Sequence, residues 1–339
     1  MAGGSTHAFD QRHVLYSKLR PNLNKVVLPD EPGIATTELV PLLPDPSRCD
    51  RGYLAHYLRS PRFVDWATAR TAGAKMPRLN MKEFRAHKIP LPPLPEQRRI
   101  AAILDKADAL RAKRREAIAK CDQLLQSVFL DMFGDPVTNP RGWRTSALAE
   151  ISDAKDRINY GVVQPGEDLA NGVPLVRVGD IDGGVLDTSQ IKHISPDIES
   201  RYSRSRLKGN ELLVSCVGSI GLVADVPEWA AGHNIARAIT RVPLAVPAMR
   251  PFVRECLRTP GVQRYFSEKT RTVSQPTLNV QFVKEAPIIL PPVEEISRFK
   301  SVADQVKKQR SLIGRSELGL DASFDSLQHL AFAGRLFTA

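Results

Sequence analysis

The chain repeats itself, and that repetition limits what it can fold into more than any other feature. Tyr53-Leu54 and Tyr57-Leu58-Arg59-Ser60-Pro61 return as Phe252-Val253 and Cys256-Leu257-Arg258-Thr259-Pro260, an offset of 199 positions (53 to 252). The same offset carries Pro77-Arg78-Leu79-Asn80 onto Pro276-Thr277-Leu278-Asn279, and Ile89-Pro90-Leu91-Pro92-Pro93-Leu94 onto Ile288-Ile289-Leu290-Pro291-Pro292-Val293. Upstream it slips by one, where Val14-Leu15-Tyr16-Ser17 answers Leu212-Leu213-Val214-Ser215, as a single-residue loop difference would produce. A repeat dictates architecture. Two units of about 200 residues are expected, each a globular part followed by a helical part.

Proline fixes φ and turns the preceding residue away from helix, so Pro92-Pro93 is a stop and Pro95 suits a first helical turn. From near Glu96, Ile100, Ile103, Ala107 and Leu110 recur at spacings of three and four. Beyond a basic interruption Cys121, Leu124 and Val128 resume the phase as far as Phe133-Gly134. That is about 38 residues, or ~57 Å at 1.5 Å per residue. A second helix carries Phe299, Ala303, Val306, Ile313, Leu320, Phe324 and Leu327, interrupted by Arg310 and Glu317. Its Gly314 and Gly319 each cost about 1 kcal/mol against alanine, so it needs a partner helix, and the first helix is the obvious one.

The globular part is clearest in the second unit, from Trp143 to about Pro287. Runs at Pro174–Val178, Glu211–Ser215 and Ala238–Val242 predict strands, while Asp182-Gly183-Gly184, Lys208-Gly209-Asn210 and Val217-Gly218-Ser219 predict turns. One helix from about Met249 to Lys269 follows, giving an α+β unit. The first unit is shorter: Val14 has 13 residues before it, against about 70 between Trp143 and Leu212, so some 57 residues lack a counterpart. A truncated chain, a misplaced start and a shorter working variant all satisfy that arithmetic.

Forty-eight Lys and Arg against 37 Asp and Glu leave a net charge of +11. Such a chain collects polyanions by counterion release, which makes nucleic acid the leading partner. The four cysteines are far apart and no His pair has zinc spacing, so reduced, buried thiols are expected, without metal or cofactor. No apolar run approaches the roughly 18 residues of a membrane span. With no basic and apolar leader at the N-terminus, a cytoplasmic location away from membranes is expected. Gly-x-x-x-x-Gly-Lys-Ser/Thr, Gly-x-Ser-x-Gly and His-Glu-x-x-His do not occur. Asn139-Pro140-Arg141-Gly142 begins like the Asn-Pro-Pro-aromatic loop of amino-methyltransferases but lacks its second proline and its ring, so it is taken as a linker.

The stretch Ile89-Pro90-Leu91-Pro92-Pro93-Leu94-Pro95-Glu96-Gln97-Arg98-Arg99-Ile100, followed by Leu124-Leu125-Gln126-Ser127-Val128-Phe129 and Phe133-Gly134-Asp135-Pro136, resembles the specificity subunit of type I restriction-modification enzymes. Arg177–Ile181 and Val217–Gly221 resemble stretches of that family's recognition domains. The resemblance implies two target-recognition domains alternating with two long helices, packed as an antiparallel coiled-coil-like pair that spaces them. On this chain it implies a shortened first recognition domain over 1–94, a first spacer helix over 95–134, a linker over 135–142, a second recognition domain over 143–293 and a second spacer helix over 294–335. It further implies double-stranded DNA, two modification (methyltransferase) subunits and a restriction/translocase subunit as partners. The shortened first domain leaves open whether two half-sites are read.

Bases are read by side chains with paired donors and acceptors, whereas phosphates need cations and hydroxyls. In the second unit, Gln275, Thr277 and Asn279 lie on a segment braced by Pro276, and the matching segment of the first offers Lys75, Arg78 and Asn80. The repeated asparagine equally suits a backbone cap. A polar run after a strand adds Lys18, Arg20, Asn22, Asn24 and Lys25, set against Ser219 between Gly218 and Gly221, whose glycines allow a phosphate close to the backbone or simply make a turn. Arg177, Asn234 and Arg237 complete the candidates. The helix segment Glu96–Lys120 holds eight Lys or Arg against four Asp or Glu, a solvated face or a surface for DNA or an acidic partner. The expectation is a non-catalytic DNA-recognition subunit that directs partner enzymes to a site. Its rivals are a truncated half-specificity module that reads DNA only after pairing with a second copy, through the helices, or with another fragment, a stand-alone nuclease, and a decayed product that folds poorly.

Overall fold

Prolines punctuate both copies of the repeat at the same places, and the helices obey them. In the computed structural model, which describes residues 6–73, 75–272 and 275–336 without the side chains of 272 and 315–323, helix α1 runs Arg51–Arg59, α2 Pro61–Thr68, α3 Met81–Ala86 and α4 Leu94–Phe133. They are followed by α5 at Pro196–Ser200, α6 at Arg250–Arg258, α7 at Pro260–Lys269, α8 at Val280–Lys284 and α9 at Val293–Phe332. Helices α4 and α9 are 40 residues each, and both their starts (94, 293) and their ends (133, 332) differ by 199. The single helix expected over 249–269 is two helices. Thr259 is extended (φ −61°, ψ 149°) before Pro260, as Ser60 is (φ −66°, ψ 143°) before Pro61, because a proline ring crowds a helical residue in front of it.

The chain divides into two units, Met1–Ala117 with Leu312–Ala339, and Ile118–Ser311. In the first, Val14–Ser17 is the centre of an antiparallel sheet, between Val26–Val27 and Leu39–Leu42. All four residues are buried, and Val14 and Tyr16 share a core with Tyr53, Tyr57 and Leu58 of α1, Phe63 of α2, and Ile100 and Leu104 of α4. Thr6–Phe9 pairs separately with Gly33–Thr36. The Pro-rich stretch ahead of α4 is clamped by Gln97, whose side chain is fully buried: its oxygen accepts from the Asp50 N–H (2.8 Å), while its nitrogen donates to the Arg48 (2.9 Å) and Pro92 (2.7 Å) carbonyls. Buried main-chain groups need such partners, which gives the Leu-Pro-Glu-Gln phrase a structural meaning.

In the second unit the same sheet core recurs. Leu212–Ser215 lies between Val223–Asp225 and Ile239–Val242, with Asn159–Tyr160 added at the edge. A further sheet places Val173–Val176 between Lys192–Ile194 and, in parallel, Asn234–Ile235. Pro287–Leu290 pairs with Arg144–Ala147. The strands from 144 to 194 have no counterpart among the described residues of the first unit. Arg241 is fully buried at the sheet's centre. Its guanidinium meets both oxygens of Asp156 (2.6 and 2.5 Å) and Oε1 of Glu211 (2.9 Å), and Lys208 also pairs with Asp156 (2.8 Å).

Each unit contains one stretch of the helix pair. In the first, Ile100, Ala101 and Leu104 of α4 share a core with Phe324, Ala331 and Phe332 of α9; in the second, Leu125, Phe129 and Phe133 share one with Ile296, Phe299 and Ala303. Early α4 against late α9, and the reverse, is an antiparallel pairing. Expected seam residues Ile103, Ala107, Val128, Val306, Ile313 and Leu327 are half-buried, while Leu320 lies outside the described residues. Leu110 and Leu124 are corrections, being 51% and 55% exposed. The true seam runs one residue later at alternate steps, through Leu104, Arg111, Asp122 and Leu125. Two charges on it disguise the phase: the Arg111 guanidinium sits 4.5 Å over the Phe324 ring, and Arg310 Nε lies 3.3 Å from Asp122.

Candidate nucleic-acid interface

Where the central strand of each sheet ends, the chain turns and is bridged to the hairpin before the third helix of the repeat. In the second unit the Gly218 N–H donates to the Pro276 carbonyl (3.2 Å), Leu278 N–H to Cys216 O (2.8 Å) and Cys216 N–H to Ala238 O (2.7 Å). In the first, Arg20 N–H donates to Pro77 O (2.8 Å), Leu79 N–H to Lys18 O (2.9 Å) and Lys18 N–H to Glu38 O (3.0 Å). The two corners therefore share one main-chain scaffold. Gly218 and Gly221 have φ of 77° and 81°, and the Ser215 hydroxyl closes their turn by donating to Ser219 O and accepting from Leu222 N–H. Arg20, matching Gly218, holds φ at 51° with a full side chain, a left-handed conformation that costs a non-glycine residue about 1 kcal/mol or more.

Around the second unit's corner lies an open groove of about 740 Å³, lined among others by Arg177, Ser219, Arg237, Gln275 and Thr277. The structure thus gathers five expected contact residues from segments up to 100 positions apart. Gln275, Thr277, Ser219 and Arg237 are exposed. Arg237 takes part in no ion pair among the described residues, while its main-chain N–H is fixed to Val162 O (2.8 Å). Arg177 is partly committed: its guanidinium bridges Asp180 (3.1 and 2.9 Å) and donates to Gln190 O (2.7 Å), and this carboxylate raises its affinity for a proton. The groove offers an amide, hydroxyls and a free guanidinium on a fixed backbone, the equipment for both base edges and phosphates.

Other candidates fall elsewhere. Asn234 is fully buried, with its amide bonded to Ser205 (2.7 Å), Glu199 (3.2 Å) and Tyr202 O (3.1 Å). Glu199 is itself held below the usual carboxylate range, chiefly by Arg206. No atom of the Asn234 side chain is left for a ligand, so that expectation is corrected. Asn80 and Asn279 are N-caps, accepting from Lys82 and Gln281 N–H at 2.9 Å each. In the first unit Lys18, Arg20, Asn22, Lys25, Lys75 and Arg78 surround the corner; Arg78 is paired with Glu38 (3.0 Å), and Arg20 donates to Lys75 O (3.3 Å). Asn24 donates to Arg59 O (2.8 Å). Asn139 is a turn residue whose amide makes two hydrogen bonds with the Trp143 backbone (2.7 and 2.9 Å). Cys49, Cys216 and Cys256 are buried and unpaired, and burial pushes the latter two thiols up to about 11 and about 12. Cys121 is half-buried. No helix among the described residues is long and apolar enough to cross a membrane.

The Arg241 site escaped sequence reading. Its partners lie 85 and 30 positions away, with no local pattern to announce them.

Comparison with known proteins gives this geometry a context. A family model described as a type I restriction modification DNA specificity domain matches residues 9–120. The chain is 27% identical over 321 residues to the EcoBI specificity subunit of Escherichia coli, covering 85% of this chain and 67% of that one. It is 23% identical over 298 residues to the MjaVIII specificity subunit of Methanocaldococcus jannaschii, covering 83% and 68%. A third match, the EcoDI specificity subunit of Escherichia coli, is 29% identical over 136 residues and covers 39% of this chain and 30% of the relative. Among solved structures, one described as the basis of complex assembly and conformational transition of the type I R-M system superposes with a TM-score of 0.51 at 20% identity, over 99% of this chain and 85% of the other, a likeness of fold.

Proposed function

We propose that this chain, which is similar to type I restriction-modification specificity subunits, is the DNA-recognition subunit of such a system, binding a duplex site and directing partner subunits to it. The observation that carries the reading is the groove at the second unit's corner, where Arg177, Ser219, Arg237, Gln275 and Thr277 converge on a rigid turn. Sequence readout needs paired donors and acceptors fixed against a scaffold, and the main-chain bridges to Pro276 and Cys216 supply that fixity. A net charge of +11 adds the sequence-independent attraction to phosphates.

In this reading residues 1–94 and 143–293 are the two recognition domains, and 95–134 and 294–335 the spacer helices. The partners are two modification subunits and a restriction/translocase subunit, in the cytoplasm. Methyl transfer, ATP hydrolysis and cleavage belong to those partners. The test is co-expression with a modification subunit. A stable complex that methylates duplex DNA only when this chain is present supports the reading, and methyl transfer or ATPase activity by the isolated chain refutes it.

A further inference from the structure

The two corners share a scaffold but not a chemistry. Four positions held by the same main-chain hydrogen bonds change from cation to neutral residue between the units: Lys18 answers Cys216, Arg20 answers Gly218, Lys25 answers Leu222 and Arg78 answers Thr277. The Ser17 N–H donates to Lys25 O (3.0 Å) as Ser215 N–H does to Leu222 O (2.9 Å), and the isolated bridge Leu19 to Arg78 matches that of Val217 to Thr277. Glu38 neutralises Arg78, but Lys18, Arg20, Lys25 and the neighbouring Lys75 have no carboxylate within 4.0 Å among the described residues.

We propose that the two corners divide the work of holding DNA, the first gripping the phosphodiester backbone without reading bases and the second selecting bases through Gln275, Thr277 and Arg237. The inference rests on the DNA-recognition reading and adds to it a separation of affinity from specificity.

Lysine ammonium groups are point charges on flexible stems, suited to phosphate oxygens that look alike at every base pair. Arg20 is the one guanidinium in the first corner without an acid partner among the described residues, and its Nη2 is tied to Lys75 O (3.3 Å), close to the Met76 sulfur (3.8 Å). That tether occupies one arm of the fork a guanine contact would use. Arginine at this left-handed position, where the twin has glycine, carries its side chain at a conformational cost. The groove of the second corner instead presents a neutral amide, a hydroxyl and the Arg237 guanidinium beside a glycine turn that admits a close approach, with Arg271 across the hairpin from Thr277.

The test uses the full chain in two assays. Binding to a labelled duplex is titrated against salt, and a random duplex pool is enriched by binding and sequenced. The variant Arg20→Gly/Lys25→Ser/Lys75→Ser is expected to lower the salt slope by about 2 to 3, at about 0.9 for each phosphate no longer neutralised, while enriching the parent's motif. Gln275→Ala is expected to leave the slope as it is and to relax the motif at one or more positions. Arg20→Gly alone, which glycine accommodates at φ 51°, is expected to melt no lower than the parent and to lower the slope by about 1, so the test survives a triple variant that folds badly. A changed motif in the first-corner variants, or a parental slope, overturns the proposal. A parent chain that binds no duplex refutes the DNA-recognition reading itself, a distinct result.

Discussion

Replacing Arg241 by methionine should open the second unit's sheet from its centre. The guanidinium has no exposed surface and bonds both Asp156 oxygens and Glu211 Oε1. Removing one partner of a buried ion pair typically costs about 3–5 kcal/mol, because the charges left behind stay desolvated. Here part of that is offset. Glu211 keeps the Lys208, Gly209 and Asn210 N–H donors (2.7, 3.0 and 3.0 Å), and Asp156 keeps Lys208 (2.8 Å). The lower end, about 3 kcal/mol, is therefore expected, or roughly two decades in the opening constant at 1.4 kcal/mol per decade. Native-state hydrogen exchange reads it directly: amides of Leu212–Ser215 and Ile239–Val242 should exchange about a hundredfold faster, while those of Val14–Ser17 keep the parent's rate. In a cycle with Asp156→Asn, the coupling should reach at least about 1 kcal/mol. Protection within about 0.5 kcal/mol of the parent, or equal loss in both units, would refute the reasoning.

Three further outcomes follow from the same contacts. Phe299→Ala removes a fully buried ring that packs 5.5 Å from Phe129 and 5.7 Å from Phe133, and should lower stability by about 3–5 kcal/mol in urea unfolding followed by the second unit's Trp143 and Trp229. Gln97→Leu strands the Asp50 N–H and the Arg48 and Pro92 carbonyls, and should cost about 1–3 kcal/mol, with the N-terminus of α1 fraying in hydrogen exchange. Arg241, with Lys208 adding to it, holds the Asp156 carboxyl down at about 2 against its ordinary 3.8. A depressed pKa stabilises the fold above 3.8, and that stability is lost as pH falls toward 2. The acid limb of the melting temperature against pH should be shallower for Asp156→Asn than for the parent; equal limbs would contradict the assignment.

The repeat is legible because both copies keep turn and proline chemistry, which local sequence dictates. The strands at Leu212–Ser215 and Ile239–Val242 and the turn at Gly183-Gly184 stand where hydrophobic runs and glycines put them. The break at Thr259-Pro260 is written in the sequence as well, but an apolar periodicity that continues through the proline masks it. The helix seam is harder. Arg111 and Asp122 occupy inward positions because each finds a partner there, an aromatic face and an arginine, and a pattern of apolar residues cannot register that. Asn234 and Arg177 show the limit for contact residues. Side chains of one type serve equally as ligands and as internal braces, and only the location of their partners decides between them. The convergence of Ser219, Arg237 and Gln275 on one groove depends on strand pairing at long range.

The most direct test of the recognition role is a methylome of cells carrying the modification subunit with this chain, without it, and with its Arg237→Ala/Gln275→Ala variant. The account predicts one recurring methylated motif that vanishes without the chain and loses specified positions in the variant; a methylation pattern identical in all three strains would contradict it.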